Sequence, residues 1–146
     1  MGIRRVFLAI LLLMASSSLL PILVSQAHAA GVTPSFAGFT YTQNLSLSAS
    51  GGVQTFKTGL GCNNSCMYSL AQLQVTGSNS IGDTFSATSS VISISSCVNK
   101  CISVMVAFSS SSVGTTYSFS ANLLCDNSTP LMFTCDTTSG SFLVKP

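Results

Sequence analysis

The chain has 146 residues, only 5% of them charged, and a formal net charge of +2. Both arginines (Arg4, Arg5) and the lone histidine (His28) stand near the N-terminus, so beyond residue 29 the charges are Lys57, Lys100 and Lys145 against Asp83, Asp126 and Asp136. Three scattered lysines exclude nucleic acid, which needs a patch of phosphate-neutralising cations, and without His or Glu few groups remain for acid–base catalysis, so the expectation is a non-enzyme.

The N-terminus reads as an export signal over residues 1–29. Arg4 and Arg5 give a positive start, an apolar run follows from Val6 to Val24, and Ala27-His-Ala29 fits the small-x-small pattern of a cleavage site between Ala29 and Ala30. The apolar run is long enough to span a bilayer. The seryl triplet at 16–18, Pro21 and the cleavage pattern favour processing, leaving no stable membrane span afterwards. Arg4-Arg-Val-Phe-Leu8 also resembles the core of a twin-arginine signal, although so apolar a run suits general secretion better. The expected location is secreted or cell-surface. The remaining stretch, residues 30–146, is long enough for one domain with one core.

Along that stretch, apolar and hydroxyl residues alternate with period two. Phe39, Tyr41, Leu45, Leu47 and Ala49 share one face of a long N-terminal strand, with Thr40, Thr42, Asn44, Ser46 and Ser48 on the other. Shorter runs follow at 67–75, 84–87, 91–94, 102–108, 117–123, 131–135 and 142–144. Turn clusters are read at Ser50-Gly-Gly52, Gly59-Leu-Gly61, Gly77-Ser-Asn79, residues 109–114 and Ser139-Gly140. About eight short strands without helical periodicity predict an all-β fold, an antiparallel β-sandwich. A faint repeat, Cys62-x-x-x-Cys66 with Ile81-Gly-Asp-Thr-Phe85 and then Cys97-x-x-x-Cys101 with Val113-Gly-Thr-Thr-Tyr117, predicts a duplicated hairpin within it.

Six cysteines in a small exported domain predict three disulfides. Spacing favours the sequential pairs Cys62–Cys66, Cys97–Cys101 and Cys125–Cys135, since residues four apart across a tight turn reach bonding distance. The rival pairing cross-links the two Cys-x-x-x-Cys loops. A zinc site on those loops is the sharper alternative; an oxidising destination and the third pair argue against it, so no metal and no cofactor are expected. Asp126 and Asp136 each follow a cysteine, which raises a paired-carboxylate or calcium site with Asn127, against the plainer reading of two turn aspartates. Asn44, Asn63 and Asn127 lie in glycosylation acceptor triplets.

A flexible lead, Ala30-Gly-Val-Thr-Pro-Ser35, precedes the long alternating strand. Such a strand can pair within its own domain, or leave and complete the sheet of the next subunit. In composition and layout residues 30–146 resemble archaeal thread or bundling-pilus subunits and the bacterial biofilm-matrix fibre subunits similar to them. Those are exported, low-charge, Ser/Thr-rich β-sandwiches that polymerise through an N-terminal strand. The resemblance implies that Phe39, Tyr41, Leu45 and Leu47 are donor residues entering a neighbour's groove. The leading expectation is a secreted structural or adhesive surface protein that associates with itself or with other surface proteins and glycans. The alternative is an extracellular carbohydrate- or ligand-binding module in which, with no Trp present, Tyr41, Tyr68 and Tyr117 would have to serve.

Overall fold

The computed structural model describes residues 31–62, 66–95 and 100–146. The expected signal, the junction at Ala29 and Ala30, Asn63 and Cys97 lie outside these. The described residues form nine strands: β1 (Phe36–Thr40), β2 (Asn44–Ser46), β3 (Gly52–Leu60), β4 (Leu70–Asn79), β5 (Thr84–Thr88), β6 (Ile92–Ser93), β7 (Cys101–Phe108), β8 (Thr116–Asp126) and β9 (Phe133–Lys145). They make two sheets, one ordered β1-β3-β7 and the other β2-β9-β8-β4-β5, with β6 also on β4. All pairings are antiparallel except β2 on β9. The expected all-β sandwich is therefore the fold found, with one parallel pair at an edge.

The two inner faces meet in one apolar layer. The small sheet contributes Phe56 and Leu60 from β3 and Ile102, Val104, Val106 and Phe108 from β7. The large sheet contributes Ala71, Leu73 and Val75, then Tyr117, Phe119, Ala121 and Leu123, then Phe142 and Val144. Phe56 is fully buried at the centre, with ring centroids 4.9 Å from Phe119 and 6.1 Å from both Phe85 and Phe142. Edge-to-face pairs at such distances add about 0.5–1.5 kcal/mol beyond area burial.

Four local expectations are corrected. The expected single strand over 39–49 is two: the chain leaves the small sheet after Thr40 and joins the large one at Asn44, with a bulge between Ala37 and Thr40 and Gly38 at φ +74°. Gly77 and Gly140, read as turn residues, lie inside β4 and β9. A Cβ at Gly77 would strike the Phe85 ring and come within 2.7 Å of the Ser118 carbonyl oxygen. At Gly140 it would lie 2.7 Å from the Tyr41 hydroxyl and 2.9 Å from Phe119 Cζ. Both glycines make room for rings. The runs at 131–135 and 142–144 consequently merge into β9.

Strand β3 carried no expected strand at all, because its buried alternation is Gln54, Phe56, Thr58, with Val53 outward. Finally, the duplicated hairpin is a repeat of sequence and not of pairing. β4 and β5 do form a hairpin, closed by Asn79, whose Oδ1 accepts from the Ile81 and Asp83 amides at 3.2 and 2.9 Å. β7 and β8 instead lie in different sheets, joined by a 3-10 turn at Ser110–Ser112 and Gly114 at φ +83°.

Truncating Phe56 should unmake this core. Phe56→Ala is expected to cost roughly 3–5 kcal/mol, read as a drop in the urea midpoint monitored by tyrosine fluorescence; a cost below about 1 kcal/mol would contradict the central role of that ring.

Candidate functional site

The N-terminal segment, 31–48, is fastened piece by piece to the rest of the domain. The Met67 amide donates to Val32 O at 2.9 Å, and Pro34 is fully buried. Gly61 N–H donates to Ser35 O at 2.9 Å while Ser35 Oγ donates to Gly61 O at 3.3 Å. At the start of β1 the Phe36 amide donates to Asp136 Oδ2 at 2.8 Å, joining residues one hundred apart in sequence and tying the small sheet to β9. Across the crossover, Gln54 Nε2 donates to Thr42 O at 2.8 Å and Leu143 N–H to Gln43 O at 2.9 Å. The Leu47 amide then closes on Lys145 O at 2.9 Å. Gln54 is fully buried and its Oε1 has no partner, so the side chain is committed to the segment through its amide nitrogen alone.

Every residue expected as a donor side chain faces the core. Leu45 and Leu47 are buried; Phe39 and Tyr41 are half-buried, packed against Phe56 and Phe119. The Tyr41 ring meets Phe119 edge-on at 4.8 Å, its hydroxyl over Gly140. In this single chain the segment pairs with its own domain, through β1 on β3 and β2 on β9. Of the two side chains that hold its backbone, sequence marked Asp136 only as a carboxylate beside Asp126 and did not mark Gln54 at all. Nothing in a local pattern links Phe36 to Asp136, and around Gln54 the inward set Gln54, Phe56, Thr58 breaks the hydrophobic period that would have marked its face.

The other expected sites distribute as follows. Cys62–Cys66 and Cys125–Cys135 are disulfides with Cα separations of 5.3 and 5.9 Å, as spacing predicts, and they indicate an oxidising environment. The second forms at a bulge where the β8–β9 register skips Cys135. Cys101 is exposed and has no disulfide partner among the described residues; Cys97, its expected partner, lies outside them. Asp126 accepts from the Asn127 and Met132 amides at 2.7 and 3.3 Å, and Asp136 from those of Thr137 and Phe36. Asn127 Oδ1 accepts from the Ser69 amide at 2.9 Å. These three side chains thus act as caps for turns and strand ends. Asn44 and Asn127 are both exposed.

Of the tyrosines named for ligand binding, Tyr117 is removed from that role by burial: it is 3% exposed, among Phe85, Phe108 and Phe142. Tyr68 instead stacks on Phe133 at 5.8 Å and 20°, and Phe133, which sequence did not single out, is 54% exposed. An open depression of about 560 Å³ on the large sheet is lined by Thr76, Ser78, Thr84, Ser86, Ser118 and Ser120 around Gly77. It offers hydrogen bonds and no titratable side chain. Among the described residues no cluster of three metal-ligating side chains occurs and no helix is long and apolar enough to cross a membrane.

Removing the Asp136 carboxylate should release the start of β1 without unfolding the domain. In Asp136→Ala the Phe36 amide is expected to exchange at least about tenfold faster, the size of a lost bond to a charged acceptor near the surface, while β4 and β8 amides keep their protection. Unchanged exchange at Phe36 would deny Asp136 this role. Comparison with family models, with curated proteins and with solved structures finds no match to this chain.

Proposed function

We propose that the chain is a secreted structural or adhesive surface protein whose copies join by exchanging the N-terminal segment, residues 31–48. One observation carries this reading. The segment occupies an edge of each sheet, β1 outside β3 and β2 outside β9, yet it supplies Phe39, Tyr41, Leu45 and Leu47 to the core. A piece that lies on edges can be withdrawn and replaced by the same piece of a neighbour without rethreading any strand, and every contact of the closed monomer is recreated between copies. Export by the signal at 1–29, the disulfides, the near absence of charge and glycans on exposed Asn44 and Asn127 all suit an extracellular scaffold. The resemblance in layout to thread and bundling-pilus subunits points the same way. No cofactor and no catalytic step belong to this reading.

Electron microscopy of the natively secreted protein tests it. Filaments are expected, and an excess of synthetic peptide spanning residues 31–48 should shorten them by capping free grooves, whereas the same peptide carrying Phe39→Asp should not. A protein that stays monomeric at every concentration and ignores the peptide would sink the reading.

A second reading rests on the stack of exposed Phe133 on half-buried Tyr68, whose rings pair only with each other among the described aromatics. It requires glycan-array binding that Tyr68→Ala and Phe133→Ala each abolish; no binding by the unmodified protein would dispose of it.

A further inference from the structure

We infer that the open edge of β7 is a self-pairing surface, through which two copies join β7 to β7 in antiparallel register. This does not depend on exchange of the N-terminal segment. β7 ends the order β1-β3-β7, and among the described residues no strand pairs with its far side. Natural edges are kept from pairing by shortness, charge, proline or a bulge. The other edges have such defences: β2 has three residues, β1 is bulged at five residues, β5 has only five, and the part of β9 that β2 leaves uncovered carries the charge of Asp136 and a register break at Cys135. β7 runs eight residues, Cys-Ile-Ser-Val-Met-Val-Ala-Phe, with no charge, no proline, no glycine and an unbroken register on β3.

The ladder fixes which groups are free. Leu60 N–H donates to Lys100 O at 3.2 Å, so Leu60 and Lys100 form a hydrogen-bonded pair, and such pairs recur at every second residue. Ile102, Val104, Val106 and Phe108 therefore spend their amides and carbonyls on β3. Cys101, Ser103, Met105 and Ala107 direct theirs to the open edge: four donors and four acceptors in a row. With Val104 opposite its own copy, Met105 faces Ser103 of the other chain and Cys101 faces Ala107, so all eight groups are satisfied reciprocally. Side chains support the same occupant. Outward Met105 and Val53 are 70% and 52% exposed, and with Ala107 they form an apolar strip along this edge that a second copy would extend across the joint. The exposed Lys100 precedes β7 and would lie eight residues, roughly 27 Å, along the ladder from its symmetry mate, and Lys57 on β3 about three strand spacings, roughly 14 Å, from its own, both beyond the reach of screened repulsion at physiological salt. Each copy presents the same patch, so the pairing closes at two.

Light scattering on the processed, secreted protein over a dilution series tests this. A concentration-dependent dimer is expected. Met105→Pro should abolish it and leave the melting temperature and near-UV spectrum close to the parent's, because the Met105 amide makes no bond to β3 and proline is accepted on an edge. Met105→Lys, which alters no backbone group, should weaken the dimer by about tenfold or more, and decides the matter if the proline variant does not fold. A parent that is monomeric throughout, or a dimer indifferent to the lysine variant, would overturn the inference. So would open-ended polymers abolished by Met105→Pro, since β7 would then be accepting a different strand. Filaments capped by the 31–48 peptide, yet unpaired laterally in Met105→Lys, would uphold both readings. Capping without any effect of Met105→Lys would uphold strand exchange alone.

Discussion

The two sheets are held in one orientation by rings. With so few charges there is, among the described residues, no ion-pair network to set how the small sheet lies on the large one, and aliphatic contacts alone are tolerant of sliding. Phe56 reaches from β3 into a ring set drawn from β5, β8, β9 and the N-terminal segment, and the network continues through Tyr117 to Phe108 on β7. Among the described aromatics only Tyr68 and Phe133 stand outside it. Ring faces and edges interlock at few angles, so a sheet that slid would break many pairs together. Two otherwise costly strand glycines, Gly77 and Gly140, follow from the same constraint, since each leaves the space that a ring occupies.

That constraint also explains what sequence could and could not disclose. Where inward positions are apolar, as in β7 and β8, alternation predicts strand and face together, and both agree with the structure. In β3 the inward set is Gln54, Phe56, Thr58 because one side chain must reach the crossover carbonyl of Thr42, and the hydrophobic period vanishes at the central strand of the small sheet. Glycine is ambiguous in the same way: Gly77 and Gly140 carry the signal of a turn while serving a packing demand set by residues far away in the chain. The 39–49 stretch preserved its face and lost its continuity. Phe39, Tyr41, Leu45 and Leu47 all point to the core because the crossover carries the chain from one wall of the sandwich to the other, whereas Ala49, expected on the same face, is exposed.

The candidate site was half legible. Phe39, Tyr41, Leu45 and Leu47 are marked by period alone, and they do face the core. The role of the side chains that hold their backbone is not marked, because the Phe36–Asp136 bond depends on how two distant strands are stacked. Tyr117 shows the converse limit. Its type suited a binding surface, but its parity on β8 places it inward with Phe119 and Ala121, and parity decides. The Cys62–Cys66 disulfide was readable from spacing, since four residues and a turn bring two Cα atoms close whatever the surrounding fold, whereas Cys125 and Cys135, ten apart, are brought together by the pairing of β8 with β9.

A chain that gives up charge must obtain solubility and selectivity from something else. On the outer face of the large sheet the register lines up Thr84, Ser78, Ser118 and Ser141 in one row, and Ser86, Thr76, Ser120 and Ser139 in the next. Hydroxyls at each crossing of that grid keep the broad face wet without attracting ions. Such a face gives little reward to a protein neighbour, because each buried hydroxyl would need a new partner. Contact is thereby directed away from the faces and towards main-chain edges, where hydrogen bonds come in register and cost no side-chain desolvation. The outer face of the small sheet differs in kind: Val53, Met105 and Ala107 replace the hydroxyls beside the one long edge that no charge, proline or bulge defends. In a protein this poor in charge, the placement of apolar side chains and the length of an edge are the remaining means of telling one contact from another, and both converge on β7.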